Sequence, residues 1–482
     1  MTRAATVATD VPQLFVDDGI VAAKRGLVRT LHRGRRRAQP VLVPDRPWEG
    51  QRVYVYGSVH HDPDGGGFRM WYLSRIGRGN EHRSPEMRER QGDLVLYATS
   101  ADGVQWDKPI LGRHLFDGST DNNIIMFDKH SPTVIVDPAA PAEERHRMMA
   151  WEWRQARRGY WVAHSPDGID WTEYPVNPVL DSGDEILETV TVAQGPDGGN
   201  YFAFHRRWDR DRFGRRLIAV ATSSDFQHWS VPKTILVPDE RDNEWVQDGE
   251  QRSEFYGMAG FSYGGQFLGF LPVFDVMIHS ALERDVDPEL RTEQSPWEGP
   301  IAAQLVHSRD GLTWHRFADR SPVIARGPRG SYDAGCILCS ADRPVVHGDE
   351  VWHYYTGINT MHGGPLPPKQ CVIGRVSWRL DGFVSLDAGA FEGWVRTVPL
   401  AAGGRHLEVN ADAGAGSLKV AVLAADGTPL DGYGADDCTP LRADRARHGV
   451  RWSGGDRLPA GRPVRLQFNL KDADLYSFRL RA

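Results

Sequence analysis

The chain has 482 residues, 40% hydrophobic and 25% charged, a globular composition with room for more than one core. Its formal net charge of -7 supplies no cationic field, which argues against nucleic acid or an anionic membrane as a partner. The four cysteines, Cys336, Cys339, Cys371 and Cys438, lack the paired spacing of a zinc ribbon or a disulfide scaffold and read as small packed side chains.

The N-terminal segment, 1–39, shows no basic start followed by a long apolar run, and no later stretch approaches the roughly 18 apolar residues of a membrane span. A cytoplasmic protein is expected, or a secreted one whose signal peptide has been trimmed. The LFVDDGIV run, with Asp17 and Asp18, is expected to pair with an outer strand or to pack on the C-terminal domain. Beyond it, 16 Trp, 51 Gly and 31 Pro point to many short strands joined by tight turns, hence an all-β chain.

One signature recurs in chain order: Ser-x-Asp-Gly-x-x-Trp at Ser100/Asp102/Trp106, Ser165/Asp167/Trp171 and Ser308/Asp310/Trp314, with Phe for Gly at Ser223/Asp225/Trp229. A decayed fifth copy, SWRLDGF, holds Ser377, Asp381 and Gly382. Each copy follows a short apolar strand, and Asp-Gly suits the positive φ of a tight turn. The Trp then packs in the seam between repeats, so the motif is structural. Upstream of each copy lies a second hairpin, as in RVYVYGSVHHDPDGGGFRMWYLS and EFYGMAGFSYGGQFLGFLPVF. Two hairpins per repeat make a four-stranded blade, and five repeats predict a five-bladed β-propeller with blades at 40–115, 120–180, 181–238, 239–325 and 326–390. From 391 to 482 the signature stops, and strands such as LKVAVLAAD and VRLQFNLKD predict a C-terminal β-sandwich on a short connection.

With its repeated S-x-D turns, the PVLVPDRPWEG segment, the hairpin ending FRMWYLS and the terminal LYSFRL, the chain resembles the five-bladed propeller glycoside hydrolases, the invertase/levanase and arabinanase/β-xylosidase groups. The invertase-type Asn-Asp-Pro-Asn-Gly, Arg-Asp-Pro and Glu-Cys motifs are absent, so sucrose or fructan hydrolysis does not carry over. The resemblance implies an axial pocket on the face where each innermost strand begins and each second strand hands over to the third.

Aligning the blades on the inner hairpin, with Asp62, Asp137, Gly195 and Phe261 in register, places Val55, His130, Glu188 and Glu254 at one position. Asp333, in SYDAGCI, and Glu49 fall just before their inner strands, and Asp184 and Glu185 in the turn before the third. Glycoside hydrolysis needs one protonated and one ionised carboxyl, about 5–5.5 Å apart for retention or about 6.5–9.5 Å for inversion. Glu188, Glu254 and Asp333 are the catalytic candidates. The resemblance implies an acid in the third blade, hence Glu188, with Glu254 as nucleophile or base and Asp333 in reserve. Substrate binding is expected from Glu49, His130, Asp184, Arg206, Arg207, Trp208, Asp275 and His362. Asn122 and Asn123 recognise hydroxyls or organise a turn. His60 and His61 lie at the far end of their hairpin, and neither a calcium loop nor His-Glu-x-x-His occurs, so no metal or cofactor is expected; only a structural ion on the axis stays open.

The function these readings favour is a glycoside hydrolase cleaving a terminal sugar, a furanoside by preference, from a short oligosaccharide. A phosphorylase or transglycosidase on the same scaffold, or a non-catalytic carbohydrate-binding propeller, are the alternatives. The expected partner is a small carbohydrate, with a homo-oligomer left open.

Overall fold

The computed structural model of the chain describes residues 5–62, 66–75, 93–152, 158–181, 183, 185–209, 214–249, 251–277, 297–364 and 368–482. These form strands joined by turns and short 3-10 segments, and no helix among them is long and apolar enough to cross a membrane. Two compact units result, one of residues 35–345 and 352–376, the other of 1–34, 346–351 and 377–482.

The first unit is the five-bladed propeller. Blade 3 shows the pattern most simply: Ile186–Gln194, Tyr201–Asp209, Arg215–Ser223 and Lys233–Leu236 pair in sequence order as one antiparallel sheet. The other blades repeat it around the inner strands Val53–Tyr54 with Val59–Asp62, Lys129–Val136, Arg252–Phe255 with Ala259–Tyr263, and Cys336–Cys339.

The repeated turns form as the sequence predicts. At Ser308 the hydroxyl lies 3.0 Å from Asp310 and accepts from the Gly311 N–H at 2.9 Å, while the Asp310 carboxylate accepts from the N–H groups of Leu312 and Thr313. The residue after Asp is left-handed in each, Gly103, Gly168 and Gly311 without cost and Phe226 at φ 70° despite its side chain. Trp314 then lies against Phe204 of the preceding blade, and Trp106 against Tyr354 of the fifth.

The fifth blade departs from expectation. Its third strand, Cys371–Arg379, pairs with the short N-terminal strand Arg35–Arg36, so the start of the chain supplies the outer edge and closes the ring. The Asp381 turn instead leads to Val384–Ala388, which pairs with Ala473–Arg481 in the other unit. There the Asp381 carboxylate takes hydrogen bonds from Ser477 and Arg479, at 2.7 and 2.8 Å. The second compact unit takes up the chain again at Ser377.

The second unit is the β-sandwich. One sheet runs Val28–Leu31, Val384–Ala388, Ala473–Arg481, His406–Asp412 and Asp444–Gly449, with Gln13–Leu14 added to Ala473–Arg481; the other runs Val21–Arg25, Gly393–Thr397, Val464–Lys471 and Ser417–Ala424. Period-two alternation puts Leu466, Phe468 and Leu470 inward with Phe478 and the N-terminal Phe15. All four cysteines are free and buried.

Candidate active site at the propeller axis

The inner strands lose their register where they reach the axis. In blade 3, Ile186 stands opposite Arg207 and Val190 opposite His205, so residues 187 to 189 face Arg206 alone. Such a bulge bends a strand and re-aims its side chains. Here it brings Glu188 onto the Arg206 guanidinium in an ion pair. Burial works to raise the Glu188 carboxyl, but Arg206 and His130 more than offset it and hold the group well below the usual carboxylate range. The carboxyl expected as the proton donor is here tied to the Arg206 guanidinium.

Blade 2 breaks likewise between His130 and Thr133, with Ser131 at φ 50°. His130 Nδ1 bonds the Asp93 carboxylate, and its ring lies 5.0 Å from that of Tyr56. In blade 4 the strand stops after Phe255, and Tyr256 sets its ring 4.7 Å from the Arg206 guanidinium, which donates to the Tyr256 carbonyl at 3.2 Å. The Tyr256 hydroxyl meets His362 Nε2 at 2.8 Å, and His362 Nδ1 lies 2.9 Å from the Trp297 carbonyl. A carbonyl can only accept, so Nδ1 carries the proton and Nε2 accepts from the tyrosine. Burial, aided by Lys369 and two arginines, pushes His362 down to about 3 and keeps it neutral.

Glu254 is sealed. Its residue surface is wholly buried, one oxygen is 2.7 Å from Arg252 Nε, and the other is paired with Arg216. Arg216 lies 5.3 Å from the rings of both Trp208 and Trp297, and Arg252 lies 4.5 Å from Trp297. Glu254, expected as nucleophile or base, thus anchors two arginines and is fully buried.

Asp333 is equally enclosed, bound by Arg36 at 3.0 Å and by the hydroxyls of Tyr355 and Ser331 at 2.7 and 2.8 Å. Glu49 is held by Tyr72, by Lys108 and by the N–H groups of Asp45 and Arg46. Both are buried internal ties. Arg207 pairs with Glu185, Asp275 lines a separate cleft over blade 4, and Asp184 lies outside the described residues. Asn123 bonds Tyr72 and the Tyr97 carbonyl, a turn-organising role.

The structure thus gathers Glu188, Arg206, His130, Trp208 and His362 from the expected set. It adds Tyr56, Tyr256, Arg216, Arg252 and Trp297. A signal for two of these stands in the sequence: Tyr-Gly occurs in both VYVYG and EFYGM, and aligning Tyr56-Gly57 with Tyr256-Gly257 shifts the blade register by one. Gly57 is required there, since a Cβ would come within 2.0 Å of the Trp71 carbonyl oxygen. Glu298 adjoins Trp297 and is half-buried; burial raises its carboxyl against the pull of Lys369 and the Gly363 N–H.

Deeper on the axis, a cavity of about 20 Å³ is bounded by Tyr56, Thr189, Thr191, Tyr256, Met258 and Leu338, among others. It has space for about one water. Its described lining includes no carboxylate to hold the structural ion the sequence left open. Among the described residues no three His, Cys, Asp or Glu side chains cluster closely enough for a metal.

The first unit is thus a propeller with a cluster of charged and aromatic side chains where its inner strands break register. No protein-family model matches the sequence, and no curated protein does. Solved structures do match. An α-L-arabinofuranosidase from Podospora anserina, in complex with cellotriose, is 12% identical with a TM-score of 0.45 over 72% of this chain and 96% of its own. A structure from the GH130 family, described as mannoside phosphorylases that include hydrolases of β-1,2-mannosidic linkages in Candida mannan, gives 14%, 0.43, 73% and 94%. A β-1,2-mannobiose phosphorylase from Listeria innocua gives 12%, 0.42, 74% and 97%. These are glycoside hydrolases and phosphorylases, the kind the sequence resembles. At such identities none lends this chain a substrate or a residue role.

Proposed function

We propose that this protein is a glycoside hydrolase that removes a terminal sugar, a furanoside by preference, from a short oligosaccharide, with Glu188 as its ionised carboxylate and Glu298 as its proton donor. One observation carries this reading: of Glu188, Glu254, Asp333 and Glu49, only Glu188 keeps exposed side-chain surface, 28%. Tyr56, Tyr256, Trp208 and Trp297 provide aromatic faces on which a sugar ring stacks. Arg206 keeps Glu188 charged, so that it attacks the anomeric carbon or takes a proton from the attacking water, according to the carboxyl separation. Glu298 gives its proton to the departing oxygen. Neutral His362 holds the Tyr256 hydroxyl in place beside them.

The test is kinetic. Glu188→Gln is expected to lower kcat by about 10²–10⁴-fold on every substrate, with an unchanged circular dichroism spectrum. Glu298→Gln is expected to cripple cleavage of disaccharides but to spare p-nitrophenyl furanosides, whose leaving group needs little protonation. Wild-type rates for Glu188→Gln remove it from the mechanism. A second reading, phosphorolysis, is favoured by the arginines Arg206, Arg216 and Arg252 around the axis. Turnover that requires added phosphate would decide for it.

A further inference from the structure

A cleft of about 730 Å³ opens over blade 4, lined by Ser253 and Asp275 at strand ends and by Trp245, Gln304, Arg320 and Asn359, among others. That volume is in the range of small-molecule sites. The axial mechanism uses none of these residues.

Ser253 Oγ lies 2.7 Å from the Asp242 carbonyl, 2.7 Å from Asp275 Oδ1 and 2.9 Å from Trp245 Nε1. A serine hydroxyl has one hydrogen, which faces two acceptors here, while the indole donates to the serine oxygen. Burial and the neighbouring Asp242 raise the Asp275 carboxyl against the pull of Ser253, Arg326 and Trp245.

The cleft's charge balance follows. Asp242 is spent on Arg316, which grips it through both terminal nitrogens at 2.5 and 2.6 Å. Arg320 gives one nitrogen to Asp239, while its Nε and Nη1 are buried with no partner among the described residues. The Arg326 side chain donates to the Ala334 carbonyl at 3.1 Å and acts on the Asp275 carboxyl, and the side chains of Arg241 and Arg329 make no hydrogen bond or ion pair among the described residues. In the described lining Arg241, Arg320, Arg326 and Arg329 thus outnumber Asp242 and Asp275, and two buried nitrogens of Arg320 lack an acceptor among the described residues.

Resting on the carbohydrate reading above, we propose that this cleft is a subsite for an anionic saccharide, one bearing a carboxylate or sulfate group. The anion would sit against Arg320, Arg326 and Arg329, where charge-assisted bonds replace the missing acceptors. Gln304 and Asn359 line the same cleft, and the free amide hydrogens of Gln304 would meet hydroxyls of the same sugar.

Calorimetry on the full chain tests this with digalacturonate, a sulfated galactose disaccharide and neutral galactobiose. At least one acidic ligand is expected to bind about tenfold or more tightly than galactobiose, and the exposed pair Arg326→Ala/Arg329→Ala to erase that advantage. The pair is chosen because Arg320→Ala also breaks the tie to Asp239. Equal affinity for neutral and acidic ligands, or an unchanged Kd in the paired variant, overturns the proposal. Inorganic sulfate binding as tightly as either disaccharide overturns its saccharide part. Turnover of neutral glycosides without acidic binding sinks the subsite alone; acidic binding without any turnover sinks the hydrolase alone.

Discussion

The signature turns and the axial breaks belong to the same blades yet solve opposite problems. Ser100 stands opposite Phe68, beside the turn closing the first hairpin, so the repeated motif sits at the end of the blade away from the start of the inner strand. Each such turn satisfies its polar groups within six residues: Asp102 draws on Ser100, Val104 and Gln105. Glu188 draws instead on Arg206 of its own blade and His130 of the one before, and Tyr56 and Tyr256 from blades 1 and 4 surround the same cluster. Chemistry that recurs in every blade builds the propeller; chemistry found once, assembled across blades, is available for function.

That contrast breaks most easily through paired substitutions. Glu188→Gln should cost about a thousandfold in kcat with little change in melting temperature, whereas Asp310→Ala should keep full kcat per folded molecule. If Asp310→Ala lost activity while remaining folded, the division between scaffold and site would fail. Glu254→Gln sharpens the comparison inside the site itself. Removing one partner of a buried ion pair typically costs about 3–5 kcal/mol, so urea denaturation should show a large loss of stability. An unchanged midpoint with abolished turnover would return Glu254 to the chemistry.

Smaller effects are expected at the turns. The Asp310 carboxylate accepts from two N–H groups much as a helix N-cap does, and Asp310→Ala should cost about 1–2 kcal/mol. The same change at Asp167 lies in a different blade, and the two losses should add in a double variant. A strongly non-additive pair would mean that the turns communicate through the blade seams.

What could be read from the sequence follows the same line. The Ser308–Trp314 turn was legible because its partners are neighbours in the chain. Glu188 was legible through the alignment of the inner hairpins. Its charge state was not, because it depends on a bulge that sets three residues against Arg206. Glu254 shared the spacing of Glu188 and Asp333 stood just before its strand, yet Arg216, Arg252 and Arg36 close over them, and those arginines come from a third strand, a strand start and the distant N-terminal edge. The pairing of Arg35–Arg36 with Cys371–Arg379 links segments at opposite ends of the propeller sequence, beyond the reach of any local pattern. The same holds for Glu298, whose burial depends on how its loop meets residues 362–364.

The finest test of the comparison uses acid. A carboxylate whose folded pKa is depressed adds stability that is present above its unfolded value, about 4 for Asp or Glu, and lost as pH falls through the folded one. Asp310 qualifies: burial opposes it, but the Thr313 and Leu312 N–H groups push it down to about 2, so its share disappears between about pH 4 and 2. Glu188 also qualifies, with a folded value held lower still by Arg206, so its share begins to fade below about pH 4 and fades over a wider range. Wild-type protein should therefore lose more stability between pH 5 and pH 3 than Glu188→Gln, by a modest margin because the side chain is partly exposed and screened. The local turns are untouched by that substitution, so the remaining acid slope of the variant reports them and the other carboxylates. Identical slopes for the two proteins would mean that the Glu188–Arg206 pair contributes nothing in solution, and the ionised state assigned to Glu188 would lose its support.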